Sequence, residues 1–417
     1  MHHVDMKYSV RKRDDFVCIY YVETDDLTKA ASYIAAEPTI QEWDIVQSNF
    51  PKLSPKLGPK VYHIDNRRNI IKVAYPGEFF ENGSISQLIS VFYSKVCSLA
   101  VFKNLKLLDI KIPHHYLRQF YGPRYGMQGL IKLMGNGGPF LSTTIKRSYA
   151  LDPDSYAELA YKLWISGVDI VKEDQTQYST WYNNFSERIT KVMKMRDKAE
   201  QETRKKKIYI PNVTAEAAEM IRRADLVKNH GGEFILIDLI SAGFSGLQSV
   251  RRHCHQFIHG TRAFNASEVN SRKYGITLIA LAKLSRLAGI DLFNIGSPAR
   301  LMSSSIAELE EISNELSDSF IENKKVILEQ EWRNIKPVIS MISGGVHPGH
   351  VPKIISMFGN EIVINSVAGC YEHPDGIEAG VKAMLQAFES SKYEIPIRQY
   401  AKRHRELDKA LRKWGHE

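Results

Sequence analysis

The chain has 417 residues, 43% hydrophobic and 25% charged, an ordinary globular composition that excludes disordered, collagen-like and membrane-span classes and leaves room for two domains. Its formal net charge of +9 admits a nucleic-acid partner, but the basic residues gather in two helical stretches, 188–207 and 392–417. Both stretches also carry acids, Glu200, Glu202, Glu406 and Asp408, and so read as solvated helix faces that make nucleic acid a minor expectation.

A positive field equally suits a phosphorylated small substrate. Cys18, Cys97, Cys254 and Cys370 lie far apart without a Cys-x-x-Cys pair, so neither a zinc knuckle nor a disulfide framework is indicated. Arg11, Lys12 and Arg13 follow the N-terminus with no apolar run, and the apolar window 276–290 is broken by Lys283 and Arg286. No secretory signal or membrane helix is therefore expected, and the cytoplasm is the expected location.

In chain order, residues 16–22 are β-branched and aromatic and read as a strand. Asp26 is placed to cap a helix through Ala36, closed by Pro38. Residues 61–64 and 70–75 flank Asp65-Asn66 as a hairpin, 84–99 has helical spacing, and 105–112 returns to strand. The order βαββ then αβ predicts an N-terminal ferredoxin-like α+β domain over 1–135.

From Phe140 the pattern becomes regular. Apolar strands at 140–145, 169–171, 208–210, 234–239, 256–259, 291–295, 338–342 and 361–365 alternate with amphipathic helices. Asp152-Pro153, Thr214, Ser245, Ser267 and Ser305 stand where helix caps belong. Eight βα units predict a (β/α)8 TIM barrel over 136–391, followed by a basic helical extension over 392–417. No Gly-x-Gly-x-x-Gly or P-loop supports a nucleotide-binding sheet.

The C-terminal strand ends of such a barrel form its active-site face. Here they carry Lys146, then Lys172-Glu173-Asp174-Gln175, Asn212, Asp238, His259, Asn294, Ser343-Gly344-Gly345 and Ala368-Gly369. The two-residue strand period puts Lys172 and Asp174 on one face, and the two glycine-containing ends suit backbone contacts to phosphate. Each has an ordinary alternative: Asp238 or Asn294 as loop caps, His259 as a hydrogen-bonded core histidine, Lys172 and Glu173 as a solvated strand end.

Several ordered stretches together resemble the large chain of ribulose-bisphosphate carboxylase/oxygenase (RuBisCO), and within it the RuBisCO-like proteins. They are Ala35-Ala36-Glu37 with Trp43, residues 121–128, Thr144-Ile145-Lys146, residues 166–174 and residues 343–350. In that family the lysine ending the second strand is carbamylated by CO2 and, with an Asp and a Glu, holds Mg2+. The matching positions are Lys172, Asp174 and Gln175. A neutral Gln175 in place of a carboxylate implies a weakened magnesium site, with metal-free operation as the limit.

The resemblance also implies losses. The family's Lys-Pro-Lys is Lys146-Arg147-Ser148, its His-Arg is Thr261-Arg262, its sixth-strand His is Asn294, and the mobile-loop lysine has only Arg300 nearby. Arg262 with Ser343, Gly344 and Gly345 keeps one phosphate site, while Ala368 and Gly369 replace a glycine run at the other, implying a single phosphate on the substrate. The family asparagine that reaches over the partner's active site is Lys95, matching the lysine base of RuBisCO-like enolases.

These departures imply a homodimeric or larger RuBisCO-like protein that does not fix CO2. The expected chemistry is enolase-, isomerase- or decarboxylase-type proton abstraction from a phosphorylated sugar or sugar acid. Lys95 would be the base, Lys146 an acid or electrostatic partner, and Lys172 with Asp174 the metal site. Glu37, Trp43, Arg262 and Asn294 would contact substrate. The alternative is a non-catalytic ligand-binding or scaffolding descendant with a decayed metal site.

Overall fold

The computed structural model describes residues 3–39, 58–146, 151–261, 274–299 and 305–416. It divides into two compact units: Met1–Gly122 with Phe264–Ala288 and Asp318–Lys336, and Pro123–Ala263 with Gly289–Ser317 and Pro337–Glu417. The strands are β1 (Asp15–Glu23), β2 (Lys60–Asp65), β3 (Ile70–Pro76), β4 (Asn104–Lys111), β5 (Phe140–Ile145), β6 (Ile170–Glu173), β7 (Ile208–Ile210) and β8 (Phe234–Asp238). They continue with β9 (Phe257–Thr261), β10 (Tyr274–Ile276), β11 (Leu292–Gly296), β12 (Phe320–Ile321), β13 (Gln330–Glu331), β14 (Ile339–Ser343) and β15 (Val363–Asn365).

The first unit holds a five-stranded sheet in the order β10-β4-β1-β3-β2. Its β4-β1-β3-β2 core is antiparallel throughout, as the ferredoxin-like expectation requires. The edge strand β10 comes from the other half of the sequence and pairs parallel with β4. Three residues are too few for a sequence period to announce them.

Asp26 caps helix Leu27–Ala36 by accepting from the Lys29 N–H. The helix expected over 84–99 is broken into a turn of α-helix at Ile85–Ile89, a wider π turn at Ser90–Ser94 and a 3-10 turn at Val96–Ser98. Serine hydroxyls bond to the local carbonyls along this stretch, Ser94 donating to Ser90 and Ser98 to Lys95, and so offer the backbone an alternative to regular helix bonding.

Lys283 and Arg286, which interrupt the apolar window, are fully buried rather than solvated. Lys283 Nζ lies 2.8 Å from the buried Asp109 carboxylate, and Arg286 donates to the carbonyls of Lys336 and Asp318 and lies over the Trp332 ring.

The second unit is an eight-stranded, all-parallel sheet in the order β7-β6-β5-β15-β14-β11-β9-β8. It closes where Leu236 exchanges backbone hydrogen bonds with Pro211 and Val213. The first residue of every barrel strand, from Phe140 to Val363, belongs to one apolar cluster capped by Met127, Leu130 and Met134 of helix Gly126–Met134. Moving two residues at a time along the strands, the inward layer turns polar: Ser142, Lys172, His259, Asn294 and Asn365, then Thr144, Asp174, Thr261 and Ser343. One end is sealed by hydrocarbon, and the functional groups collect at the other.

Asp152 and Ser305 cap as expected. The helix expected at Thr214 is capped by Glu216, and the Thr214 hydroxyl accepts instead from the Asp238 N–H at 2.9 Å. The helix expected at Ser245 starts at Leu239 on an Asp238 cap and bends at Gly243, φ 69°. Ser267 lies outside the described residues. Helices Ile377–Lys392, Ile397–Ala401 and Arg405–Trp414 end the chain. No helix among the described residues is long and apolar enough to cross a membrane.

Candidate active site

Strand β6 delivers the central groups. Lys172 points inward and is 7% exposed, and its amine makes one long hydrogen bond, 3.4 Å to the Glu173 carbonyl. Burial pulls its pKa down to about 8; the nearby Asp174 carboxylate opposes that shift and Lys146 adds to it. A lysine so desolvated releases its proton, and so becomes a nucleophilic amine, at lower pH than an ordinary one.

Asp174 continues the inward face. It accepts from Lys146 Nζ at 2.8 Å and from the backbone and hydroxyl of Thr176 at 3.0 and 2.8 Å. Burial alone would raise its pKa, but these donors outweigh burial and hold it below the usual range. Lys146, at the end of β5, keeps two thirds of its side chain exposed.

Glu173 lies on the opposite face of the strand and takes no part in this group. Its carboxylate is fully buried, paired to Arg188 Nε at 2.6 Å and bonded to the Tyr209 hydroxyl and the Asn212 N–H. It locks β6 to β7 and to helix Phe185–Thr203, and it cannot stand in for the carboxylate missing at Gln175.

Gln175 and Thr261, two positions where the sequence departs from the family pattern, touch each other: the Thr261 hydroxyl donates to Gln175 Oε1 at 2.9 Å. Below them His259 is completely buried. Burial first, then the charge of Lys172, push its imidazole down to about 3. Nδ1 meets the Leu292 carbonyl at 3.2 Å, while Nε2 has no hydrogen-bond partner among the described residues.

Asn294 is an inward, half-buried side chain whose Oδ1 accepts from the Gly296 N–H. Ser343 Oγ accepts from Asn365 Nδ2 at 2.9 Å, and Asn365 Oδ1 accepts from Ser142 and Thr144. Sequence reasoning passed over Asn365; its signal was a polar residue at an inward position of the eighth strand. Gly344 and Gly345 have φ 123° and 64°, a backbone that excludes most side chains. Gly369 has a packing reason for lacking one, since a Cβ there would sit 2.4 Å from Ser366 Oγ; Ala368 opens a four-residue helix beside it.

Lys95 and Glu37 belong to the first unit, where Lys95 Nζ lies 3.4 Å from Glu37 Oε1. The Lys95 side chain is 59% exposed and faces a carboxylate. Trp43 and Arg262, like Arg147, Ser148 and Arg300, lie outside the described residues.

Among the described residues no three His, Cys, Asp or Glu side chains gather as a metal site. A carbamate on Lys172 would add a hard anionic oxygen beside Asp174. The structure suits one: a buried amine whose pKa is lowered to about 8, the anionic Asp174 beside it, and an amide oxygen on Gln175. Mg2+ commonly takes one or two carboxylates and completes its shell with other oxygens, so this donor set fits.

Comparison with known proteins covers both units. Residues 126–414 match the ribulose bisphosphate carboxylase large chain, catalytic domain, and residues 2–116 its N-terminal domain. The chain is 36% identical to the ribulose bisphosphate carboxylase of Methanocaldococcus jannaschii, over 99% of this chain and 100% of that one. It is also 36% identical to that of Pyrococcus furiosus, over 99% and 97%. The dimeric archaeal Rubisco from Hyperthermus butylicus superposes with a TM-score of 0.91 at 35% identity, over 100% of this chain and 99% of the other. The octameric Rubisco from Pyrococcus horikoshii superposes at 0.90 and 34%, over 99% and 98%.

These findings overturn the expectation of a RuBisCO-like protein that does not fix CO2, whether enolase, isomerase, decarboxylase or non-catalytic descendant. The relatives matched end to end are named carboxylases, and replaced residues at single positions do not outweigh that similarity. The chain belongs to the ribulose-bisphosphate carboxylase large-chain family.

Proposed function

We propose that this protein is a carboxylase acting on ribulose bisphosphate. The observation that carries the reading is Lys172: a buried lysine with its pKa lowered to about 8, beside Asp174, in the layer where the barrel interior turns polar. A bisphosphate substrate replaces the single-phosphate expectation. In support, the turn at Gly344 and Gly345 can bring backbone N–H groups close to an anion, and Lys146 offers an exposed cation at the mouth.

Lys172 as its carbamate, Asp174 and the Gln175 amide oxygen would hold Mg2+, which when bound supplies fixed positive charge against negative charge developing on the substrate. The protein's own groups set the stage for this. Lys146 anchors Asp174, Thr261 orients the Gln175 amide, and burial lowers the pKa of the Lys172 amine to about 8, so that it gives up its proton more readily than an ordinary lysine. Assembly as a dimer or a multiple of dimers is proposed from the dimeric and octameric relatives.

Incubation with ribulose bisphosphate and 14C-bicarbonate should yield acid-stable label in the product. Protein that binds the sugar bisphosphate yet forms no such label would refute the assignment.

Two further outcomes are expected. At constant dissolved CO2 and without magnesium, 13C-carbamate on Lys172 should grow as pH rises from 7 to 9, because deprotonation with a pKa of about 8 exposes the nucleophilic amine; an ordinary lysine would need pH above about 10. Carbamate NMR intensity checks this, and a midpoint above 10 would remove the buried amine from the account. Second, Gln175→Glu adds an anionic oxygen and should tighten magnesium binding to the CO2-charged protein by about tenfold. An unchanged titration would show that residue 175 is not a ligand.

A further inference from the structure

The basic C-terminal extension is not used by the reaction, and it contains a cavity of its own. An open concavity of about 710 Å³ is lined by residues within 395–404, with Ile395 and Pro396 on its apolar side and Arg398, Tyr400, Lys402, Arg403 and His404 among its polar groups. Three nearby surface cations are paired: Lys382 of the preceding helix with Glu406 at 2.7 Å, Lys409 with Asp375 at 2.7 Å and Arg412 with Asp408 at 2.8 Å. Arg398, Lys402 and Arg403 are exposed and carry no ion pair among the described residues.

Arg398 and Lys402 stand four residues apart, where like charges on one helical face repel. The nearest acid bonded into the group is Glu389, and it is engaged by the Tyr400 hydroxyl at 2.8 Å. His404 is fixed by its Nδ1 contact to the Tyr400 carbonyl at 2.7 Å and by stacking on the Tyr400 ring at 3.9 Å. Three cations without an ion pair among the described residues, two of them guanidinium forks, thus line one concavity of ordinary small-ligand size.

We propose that this concavity is a second anion site, separate from the barrel mouth, that takes a small ligand carrying two or more linked phosphates. One phosphate would engage the guanidinium groups bidentately and the next would meet Lys402. The size of the cavity and the fixed Tyr400–His404 pair favour a compact polyphosphate over an extended strand, which would need a longer basic track and free aromatic faces.

Calorimetry with inorganic pyrophosphate, in low salt and with the barrel mouth saturated by ribulose bisphosphate, tests this on the full-length protein. Wild type should bind about one equivalent per chain, and the double variant Arg398→Gln/Arg403→Gln should bind at least tenfold more weakly, with an unchanged thermal transition and unchanged basal CO2 fixation. Equal binding by the double variant, or none by wild type, would overturn the proposal. So would binding of a single-stranded RNA that depends on the same two arginines while pyrophosphate does not bind, since the surface would then serve nucleic acid. The readout is binding, so it stands or falls independently of whether the barrel fixes CO2.

Discussion

Lys172→Met should abolish CO2 fixation, by a thousandfold or more, while leaving the barrel folded. Methionine keeps the length and hydrocarbon of the side chain but offers no amine for a carbamate, so the anionic oxygen that would join Asp174 is lost. Losing one preorganised electrostatic group aimed at developing charge typically costs about 10²–10³ in rate, and here the metal anchor goes with it. The stability effect has the opposite sign. Lys172 is buried with its amine bonded only at 3.4 Å, so an apolar replacement should hold or raise the thermal transition. Activity retained within tenfold would remove Lys172 from the chemistry; activity lost together with the fold would make its role structural.

Breaking the Glu173–Arg188 pair should produce the reverse pattern, a large loss of stability. Both side chains are completely buried. Burial pulls the Arg188 pKa down, but the Glu173 carboxylate opposes this and keeps it above its ordinary value. Glu173→Gln leaves a guanidinium in the interior without its counter-charge, which costs about 3–5 kcal/mol, or roughly 10 °C in the thermal transition of the barrel. The double variant Glu173→Met/Arg188→Met removes both charges and should regain much of the loss. A single variant that melts within about 1 °C of wild type would show that the pair does not clamp β6.

The fold was legible because its signals are periodic and long. Eight apolar strand cores, each followed by an amphipathic helix, leave few alternatives to a barrel, and Lys172 and Asp174 fall on the inward face by strand period alone. What escaped was short or depended on contacts distant in sequence. Strand β10 is three residues pairing with a strand more than 160 positions earlier. The serine-rich stretch after Ser84 has helical spacing, but hydroxyl bonds to its own carbonyls offer the backbone an alternative. Glu173 sits between two site residues in the sequence and yet serves the far side of the strand.

The functional misreading has a physical root too. Gln175, Thr261 and Asn294 were weighed as separate losses, whereas the structure joins Gln175 to Thr261 by a hydrogen bond at 2.9 Å. Substitutions in contact are not additive, so the two cannot be subtracted from the site one residue at a time. Full-length identity near 36% with named carboxylases reflects the whole site and its scaffold at once.

The central claim is most directly tested by mass spectrometry of the products formed from ribulose bisphosphate and 13C-bicarbonate, with wild type and Lys172→Met in parallel. The account predicts a product bearing one 13C carboxyl carbon with wild type and none with the variant. Wild-type protein that is carbamylated and binds the sugar bisphosphate, yet yields no more labelled product than Lys172→Met, would contradict it.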